Sequence, residues 1–94
     1  MEAHYIDAVL KGNANAFGYF IRTYQNQAFS LAVSLVKREA DAKDVVQDSF
    51  VAAYSSLGNF RKDAKFSTWF YRIVVNTALQ FLKRQKRRSE VVSD

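Results

Sequence analysis

Turn residues are scarce in this chain, and that scarcity limits the folds it can adopt. Proline is absent from the 94 residues and glycine occurs only three times. Sandwiches and barrels of short strands need a turn residue every few positions, which this sequence does not supply. Apolar residues make up 49% of the chain, as is ordinary for a folded domain. We therefore predict an all-α fold, a compact bundle of about four helices in one domain.

Helix breakers and hydrophobic spacing predict the first two helices. The first covers about Glu2 to Leu10 and is broken at Gly12. In the second, apolar residues recur at three- and four-residue steps, which places them on one helical face as core. These residues are Phe17, Phe20, Ile21, Tyr24, Ala28, Leu31, Ala32 and Leu35.

Acidic residues suggest where the third helix begins. We expect it to open at Asp41, because Asp44 three residues later resembles the acid of a capping box. It should close near Leu57, since Gly58 is the residue type that usually follows a helix end. Its predicted apolar face comprises Ala42, Val46, Phe50, Ala53 and Leu57.

A second face of this helix is polar. Asp44, Gln47, Asp48 and Val51 follow one another at i, i+3, i+4 and i+7, so they line one stripe, called the acidic stripe below. This pattern is typical of a solvated helix face. It also suits docking against a basic partner helix.

The last helix combines two faces with different chemistry. It should follow a polar, basic loop and be capped by Ser67 or Thr68. Its predicted inward face holds Phe66, Phe70, Ile73, Val74, Thr77 and Phe81, and another stripe carries Trp69, Arg72, Asn76, Lys83 and Arg87. Asparagine is unfavourable within a helix, so Asn76 either satisfies a buried group or contacts a ligand. An amide beside a guanidinium and an indole suits single-stranded bases.

Positive charge is concentrated at one end of the chain. The formal net charge is +5, and five of the six residues from Lys83 to Arg88 are Lys or Arg. Without these five the remaining chain is neutral. The basic end is either a solvated tail or a contact for a polyanion, which would be nucleic acid or a membrane surface.

Several classes of function find no support in the sequence. Cysteine is absent, and the single histidine, His4, has no evident partner near it in sequence. The carboxylates of the third helix lack the histidines that a metal site would usually recruit. We therefore expect no enzymatic activity, no metal and no cofactor. The first residues do not form a signal peptide and no stretch is apolar enough to span a bilayer, so we expect a cytoplasmic location without membrane insertion.

Four segments together resemble region two of the extracytoplasmic-function (ECF) sigma factors of bacterial RNA polymerase. They are "KGNANAFGYFIRTYQ", "DAKDVVQDSFVAAY", "NFRKDAKFSTWFYRIVVNTA" and "KRQKRR". The resemblance covers nearly the whole chain. The second and third segments are specific in their order and spacing as well as in their residues.

The resemblance implies a transcription initiation factor domain. Its acidic stripe would dock on the β′ clamp helices of the polymerase core. The loop from Asn59 to Ser67 would capture a flipped, non-template base of the minus-ten promoter element during melting, and Asn76 would help to form the pocket. The basic helix would hold the strand backbone. The implied DNA-binding residues are Asn59, Phe60, Arg61, Lys62, Lys65, Phe66, Ser67, Trp69, Arg72, Asn76, Lys83, Arg84 and Arg87.

The family also implies further partners and a longer protein. Core polymerase and single-stranded promoter DNA are the expected partners together with an anti-sigma factor, without a small-molecule substrate. Residues 1–88 would form the region two domain, and residues 89–94 would begin a linker to a region four domain that reads the minus-thirty-five element. Gln80 departs from the family, which often has Asp at that position.

A different class of function is the alternative. A basic amphipathic last helix would also suit a small helical adaptor that binds an anionic membrane or a protein partner. The loop "NFRKDAKFST" and Asn76 distinguish the two hypotheses, because a membrane-binding helix has no use for either.

Overall fold

The computed structural model describes residues 2–61 and 63–92, and in these ranges it contains helices but no strand. The four α-helices are α1 (Glu2–Leu10), α2 (Gly18–Val36), α3 (Glu39–Ser56) and α4 (Phe66–Val92). A 3₁₀ turn, Ala14–Phe17, leads into α2, and a second, Leu57–Asn59, follows α3. The prediction of an all-α bundle of four helices is confirmed.

Small side chains allow three of the helices to approach closely. α2, α3 and α4 pack against one another, while α1 packs on the two 3₁₀ turns. The alanines at these contacts have no solvent exposure: Ala28, Ala32, Ala42, Ala53 and Ala78. An alanine at a helix crossing leaves room for the larger side chains of the facing helix. Phe20 and Phe70 fill that room and are also fully buried.

Aromatic rings connect all four helices through one cluster. The rings of Phe20 and Phe66 lie 4.2 Å apart between centroids, and those of Phe50 and Phe70 lie 4.6 Å apart. Tyr5 of α1 joins the cluster at its edge, because its ring is 6.4 Å from Phe20 in an edge-on arrangement. Aromatic pairs of this kind each contribute about 0.5–1.5 kcal/mol beyond the area they bury. The cluster fixes the start of α4 against α2.

The structure corrects the predicted core face of α2 at one position. Ile21 is 38% exposed, although its spacing placed it in the core. The other predicted residues are buried or half-buried, and Phe17 lies in the 3₁₀ turn before the helix. The fully buried positions Phe20, Ala28 and Ala32 are separated by multiples of four residues. The stripe that faces α3 and α4 is therefore narrower than predicted.

The predicted start of α3 is wrong by two residues, whereas its predicted end near Leu57 is confirmed, since the helix ends at Ser56 and Leu57 is its C-cap. The helix begins at Glu39, where the carbonyl of Arg38 accepts a 2.9 Å hydrogen bond from the N–H of Ala42. At the other end the chain tightens into the 3₁₀ turn, and Gly58 does not adopt the positive φ of a helix-terminating glycine. The core of α3 also includes Val45 and Ser49, which periodicity did not select. Ser49 is tolerated there because its hydroxyl donates to the Val45 carbonyl at 2.7 Å.

α4 starts earlier than the predicted Ser67 or Thr68 caps. Its first residue is Phe66, and the carbonyl of Lys65 accepts a hydrogen bond from the Trp69 N–H at 3.2 Å. The predicted inward residues of α4 are buried or half-buried, and Ala78 joins them. The helix continues through residues 89–92. Their assignment to a linker stays a prediction, and residues 93 and 94 lie outside the described part.

The length of α4 determines the shape of the molecule. Its 27 residues correspond to a rod of about 40 Å, and the whole structure measures 53 × 23 × 22 Å. Residues 83–90 are all exposed, so the basic end of α4 lies outside the core. None of the helices in the described ranges has both the length and the apolar character that crossing a bilayer requires.

Candidate nucleic-acid and protein interfaces

A pocket of about 370 Å³ lies where α1, α2 and the loop before α4 meet. Its volume is at the lower end of the roughly 300–1,000 Å³ typical of small-molecule sites. The lining combines apolar walls with a few polar groups and consists of Glu2, Ala3, Ile6, Tyr24, Phe60, Ala64, Lys65, Phe66 and Ser67. Such a combination can hold one flat, polar ring of the size of a nucleobase.

Four of the predicted DNA-binding residues line this pocket: Phe60, Lys65, Phe66 and Ser67. Phe60 and Phe66 are mostly buried, with exposures of 9% and 2%. They contribute a limited ring surface to the pocket and mainly hold the loop on the core. Lys65 is exposed and Ser67 half-buried, so their polar groups can reach a ligand at the mouth.

Trp69 supports the loop beside the pocket. Its ring lies 5.1 Å from Phe60 and 5.6 Å from Phe66, both in tilted arrangements. The side chain is half-buried and packs on the core. It is therefore less available for base stacking than its place on the predicted stripe suggested. DNA contact by Trp69 stays a prediction.

The remaining loop residues are exposed. Arg61 forms an ion pair with Asp63 at 3.5 Å, with side-chain exposures of 83% and 72%. An exposed ion pair contributes little to the stability of the fold. Arg61 can therefore leave Asp63 and pair with a phosphate at a small cost in free energy. Asn59 is exposed at the end of the second 3₁₀ turn. Lys62 lies outside the described residues.

The stripe on α4 is exposed beyond Trp69. Arg72, Asn76, Lys83 and Arg87 all lie on the solvent side of the helix. A buried amide satisfied by the core was one interpretation of Asn76, and its exposure contradicts that interpretation. Asn76 does not line the pocket that the resemblance assigned to it, and its exposed amide is free to contact a ligand outside that pocket.

Arg84 lies on a different side of α4 from that stripe. With Gln85 and Arg88 it continues the inward face of the helix past the end of the apolar core. These three residues line a groove of about 570 Å³ together with Arg38, Asp41, Asp44, Gln47, Asp48 and Phe81. The predicted DNA-binding set is thus divided between two faces of the helix.

The acidic stripe is exposed on the other wall of this groove. Asp44, Gln47 and Asp48 line it directly, and Val51 is 60% exposed one turn further along α3. Within the described residues the structure records no ion pair between these acids and the arginines across the groove. Asp41 also borders the groove, but its Oδ2 atom is buried and accepts no hydrogen bond from the described residues. The exposed carboxylates of Asp44 and Asp48 can still accept donors from a partner.

Sequence reasoning missed the contribution of α1 and α2 to the pocket. The Oε2 atom of Glu2 accepts a hydrogen bond from the Tyr19 hydroxyl at 3.2 Å and another from the Tyr24 hydroxyl. Burial, followed by the bond to Glu2, raises the pKa of Tyr24 well above its usual value, and the same causes raise the pKa of Tyr19. These residues are 17 and 22 positions from Glu2 in sequence. No local spacing signals such a contact.

Comparisons with known proteins support the resemblance. Residues 20–88 match the family model described as Sigma-70 region 2. The ECF RNA polymerase sigma-E factor of Salmonella typhimurium is 46% identical over 83 residues, which are 88% of this chain and 43% of that protein. The chain thus spans less than half the length of that relative.

Two solved structures are similar to this one. The first is the NMR structure of an engineered region 2 of sigmaE in complex with GTAAAA, with 41% identity, a TM-score of 0.87 and coverage of 94% of this chain and 92% of the other. The second is CnrH in complex with the cytosolic domain of CnrY, with 34% identity, a TM-score of 0.73 and coverage of 81% and 49%. The predicted likeness to ECF sigma factors is confirmed, and the chain belongs to the sigma-70 region 2 family.

Proposed function

We propose that this chain is a promoter-recognition domain that binds the single-stranded, non-template minus-ten element and docks on the β′ clamp helices of RNA polymerase. The observation that carries the proposal is the pocket at the start of α4, followed along that helix by the exposed Arg72 and Asn76. A pocket for one unstacked base beside cationic and amide side chains suits recognition of a single strand.

Base capture takes place at the pocket. A base of the minus-ten element leaves the duplex stack and enters between the loop and α1. Asn76 does not line this pocket and lies nine residues beyond Ser67 on α4, about 13 Å along the helix, so its amide contacts a neighbouring base of the same strand. Arg72, Lys83 and Arg87 contact phosphates, which gives affinity without sequence preference. The similar engineered region 2 of sigmaE binds GTAAAA, and its 41% identity to this chain supports the same kind of ligand here.

Docking takes place at the acidic stripe. Asp44 and Asp48 are exposed and without ion pairs among the described residues. Exposed acids of this kind complement a basic helix, and charge complementarity specifies which partner binds. The proposed occupant is a β′ clamp helix of the polymerase core.

The other expectations follow from this function. The domain is not itself an enzyme and requires no cofactor, since polymerase performs the chemistry, and it acts in the cytoplasm. CnrH is bound by the cytosolic domain of CnrY, and its likeness to this chain supports a regulatory protein partner of the anti-sigma kind.

A pull-down of core polymerase tests the docking. Reversing Asp44 and Asp48 to Lys replaces attraction by repulsion, which costs several kcal/mol, so the double variant should not be retained. A matched control reverses Asp63 and Glu90, which are exposed outside the stripe, and should bind as the unmodified chain does. Equal retention of a folded stripe variant would refute the docking.

Titration with single-stranded GTAAAA tests the proposed DNA binding separately. Absence of binding would refute that part of the proposed function.

A further inference from the structure

We propose that Glu2 is a specificity-determining residue of the pocket and selects a captured base that carries an amino group at the edge facing α1. The inference rests on the proposed function, since it concerns which base the pocket accepts. It assigns a role to α1, which the family resemblance did not cover at this position.

The geometry fixes the Glu2 carboxylate at the pocket. Glu2 is half-buried in the first turn of α1 and lines the pocket together with Tyr24, Lys65 and Ser67. Both tyrosine hydroxyls donate to the same atom, Oε2. Among the described residues no hydrogen bond reaches Oε1, and no Lys or Arg pairs with the carboxylate. One oxygen anchors the side chain, and the other remains available as an acceptor.

The anchoring makes the carboxylate rigid as well as available. Tyr19 and Tyr24 lie on successive turns of α2, and the Tyr24 ring is itself held 5.3 Å from Phe66 of α4. A side chain held by two hydrogen bonds loses little further freedom when it binds a ligand. A preorganised acceptor therefore discriminates between ligands better than a mobile one.

The chemistry of the bases then determines the preference. An ionised carboxylate only accepts hydrogen bonds. The N6 amino group of adenine and the N4 amino group of cytosine are donors. Hypoxanthine and uracil carry a carbonyl oxygen at the same position, which would face the carboxylate with no proton between them. The pocket should bind the amino bases more tightly than their carbonyl counterparts, whose ring N–H (N1 of hypoxanthine, N3 of uracil) can donate to the fixed carboxylate only after the base shifts in the pocket.

The test uses GTAAAA and four derivatives in which each adenine in turn is replaced by hypoxanthine. At one of the four positions, the unmodified chain should bind the adenine strand about tenfold more tightly than the hypoxanthine strand. This ratio is toward the lower end of the discrimination expected for one base-edge contact. Glu2→Gln should bring the two affinities close to equality, because the amide nitrogen can donate to the carbonyl. Cytosine and uracil at the same position should show the same behaviour.

Two further variants separate specificity from folding and charge. Glu2→Asp keeps the charge but withdraws the carboxylate, so it should also lose the preference. Glu39→Gln removes the same charge at the exposed start of α3 and should keep the preference. Melting curves are recorded for each variant.

The outcomes are distinct. If the Glu2 variants bind all strands more weakly by one common factor and melt earlier, Glu2 only holds α1 on α2 and the inference is wrong. An unchanged tenfold preference would overturn it equally. If the unmodified chain binds no strand, the proposed DNA binding is wrong and the inference about Glu2 is wrong with it.

Discussion

The amide of Asn76 lies on the solvent side of α4, one turn beyond Arg72. If it contributes to base recognition, Asn76→Ala should cost about 1–3 kcal/mol with the preferred single strand, the loss expected for one base contact. A strand with a mismatched base at that position should lose almost nothing. Titration of matched and mismatched strands measures the difference. Gln80→Ala, which removes another exposed amide one turn further along α4, is the matched control and should affect neither strand.

Thermal melting provides a second readout for Asn76. Because the side chain is exposed and forms no hydrogen bond with the described residues, its removal should change stability by less than about 0.5 kcal/mol. Equal losses of affinity on both strands would count against base recognition by this residue.

Tyr24 makes the stability of the domain sensitive to high pH. Burial and the hydrogen bond to Glu2 raise the pKa of Tyr24 in the folded chain, whereas in the unfolded chain its pKa is near the usual 10.0. The unfolded state therefore loses this proton first. The stabilisation is fully present below about pH 10 and is lost as the pH rises further, by up to about 1.4 kcal/mol per pH unit.

Urea denaturation between pH 8 and pH 11 measures this loss. Tyr24→Phe should be less stable at pH 8, by about 1 kcal/mol for one hydrogen bond, and should lose less stability as the pH rises. Tyr54→Phe, at an exposed position of α3, controls for the removal of a phenol. Parallel pH profiles for the unmodified chain and Tyr24→Phe would contradict the prediction.

At the scale of the elements, the end of α2 carries the one non-glycine residue with a positive φ in the described ranges. Lys37 has a φ of 74°, and its N–H donates to the Val33 carbonyl at 2.9 Å. A left-handed conformation costs a side-chain-bearing residue about 1 kcal/mol or more, and glycine avoids that cost.

Lys37→Gly should therefore stabilise the domain by about 0.5–1 kcal/mol. This is the strain that glycine relieves, less the larger conformational entropy that a glycine loses on folding. The midpoint of chemical denaturation measures the effect. Lys37→Ala removes the same exposed side chain, including its bond to the Ser34 carbonyl, but keeps the strain, so it should give no gain. Lower stability of the glycine variant would contradict this account of the helix end.

The number and order of the helices could be predicted because α2, α3 and α4 each carry a long apolar stripe and Gly12 ends the first helix. Both ends of α1 and the end of α3 were also predicted. The starts of α3 and α4 were not, since they depend on backbone hydrogen bonds such as that from the Ala42 N–H to the Arg38 carbonyl, which any residue at position 38 would accept equally well. Periodicity also failed to identify the buried Ser49, whose polar group is satisfied within its own helix. Periodicity placed Ile21 and Val46 in the core, whereas in the structure they line a surface groove between α2 and α3.

The parts of the candidate site that lie along single helices could also be predicted from helical spacing. The acidic stripe and the exposed residues of α4 follow from spacing along single helices. The pocket does not, because it brings Glu2 against Tyr24 and Lys65, and only the packing of α1 and the loop onto α2 creates that proximity.

At the scale of the whole molecule, the basic end of α4 presents two faces. Lys83 and Arg87 share the stripe of Asn76, whereas Arg84 and Arg88 line the groove beside the acidic stripe. Neutralising all four to Gln should weaken DNA binding similarly for every sequence. It should also weaken the salt dependence of binding. The slope of log K against log salt concentration should become shallower by about 0.7 for each phosphate of a single strand that the protein no longer neutralises.

The two faces allow a matched comparison. Lys83→Gln with Arg87→Gln should reduce the slope by more than Arg84→Gln with Arg88→Gln, although both double variants remove two charges. Affinity for GTAAAA, measured at several salt concentrations, gives the slopes. An unchanged slope in the quadruple variant would mean that this end of the helix is a solvated tail.

The packing of Trp69 against Phe60 and Phe66 gives the domain its own optical probe. Trp69 is the one tryptophan in the chain, so the fluorescence excited at the red edge of the absorption band arises from this side chain alone. Its half-buried ring joins the loop to the start of α4, where the pocket opens. Release of the loop would move the indole into water and shift its emission to longer wavelength, whereas a base stacked nearby would quench it. Loop docking and strand binding can therefore be followed in real time without an attached dye.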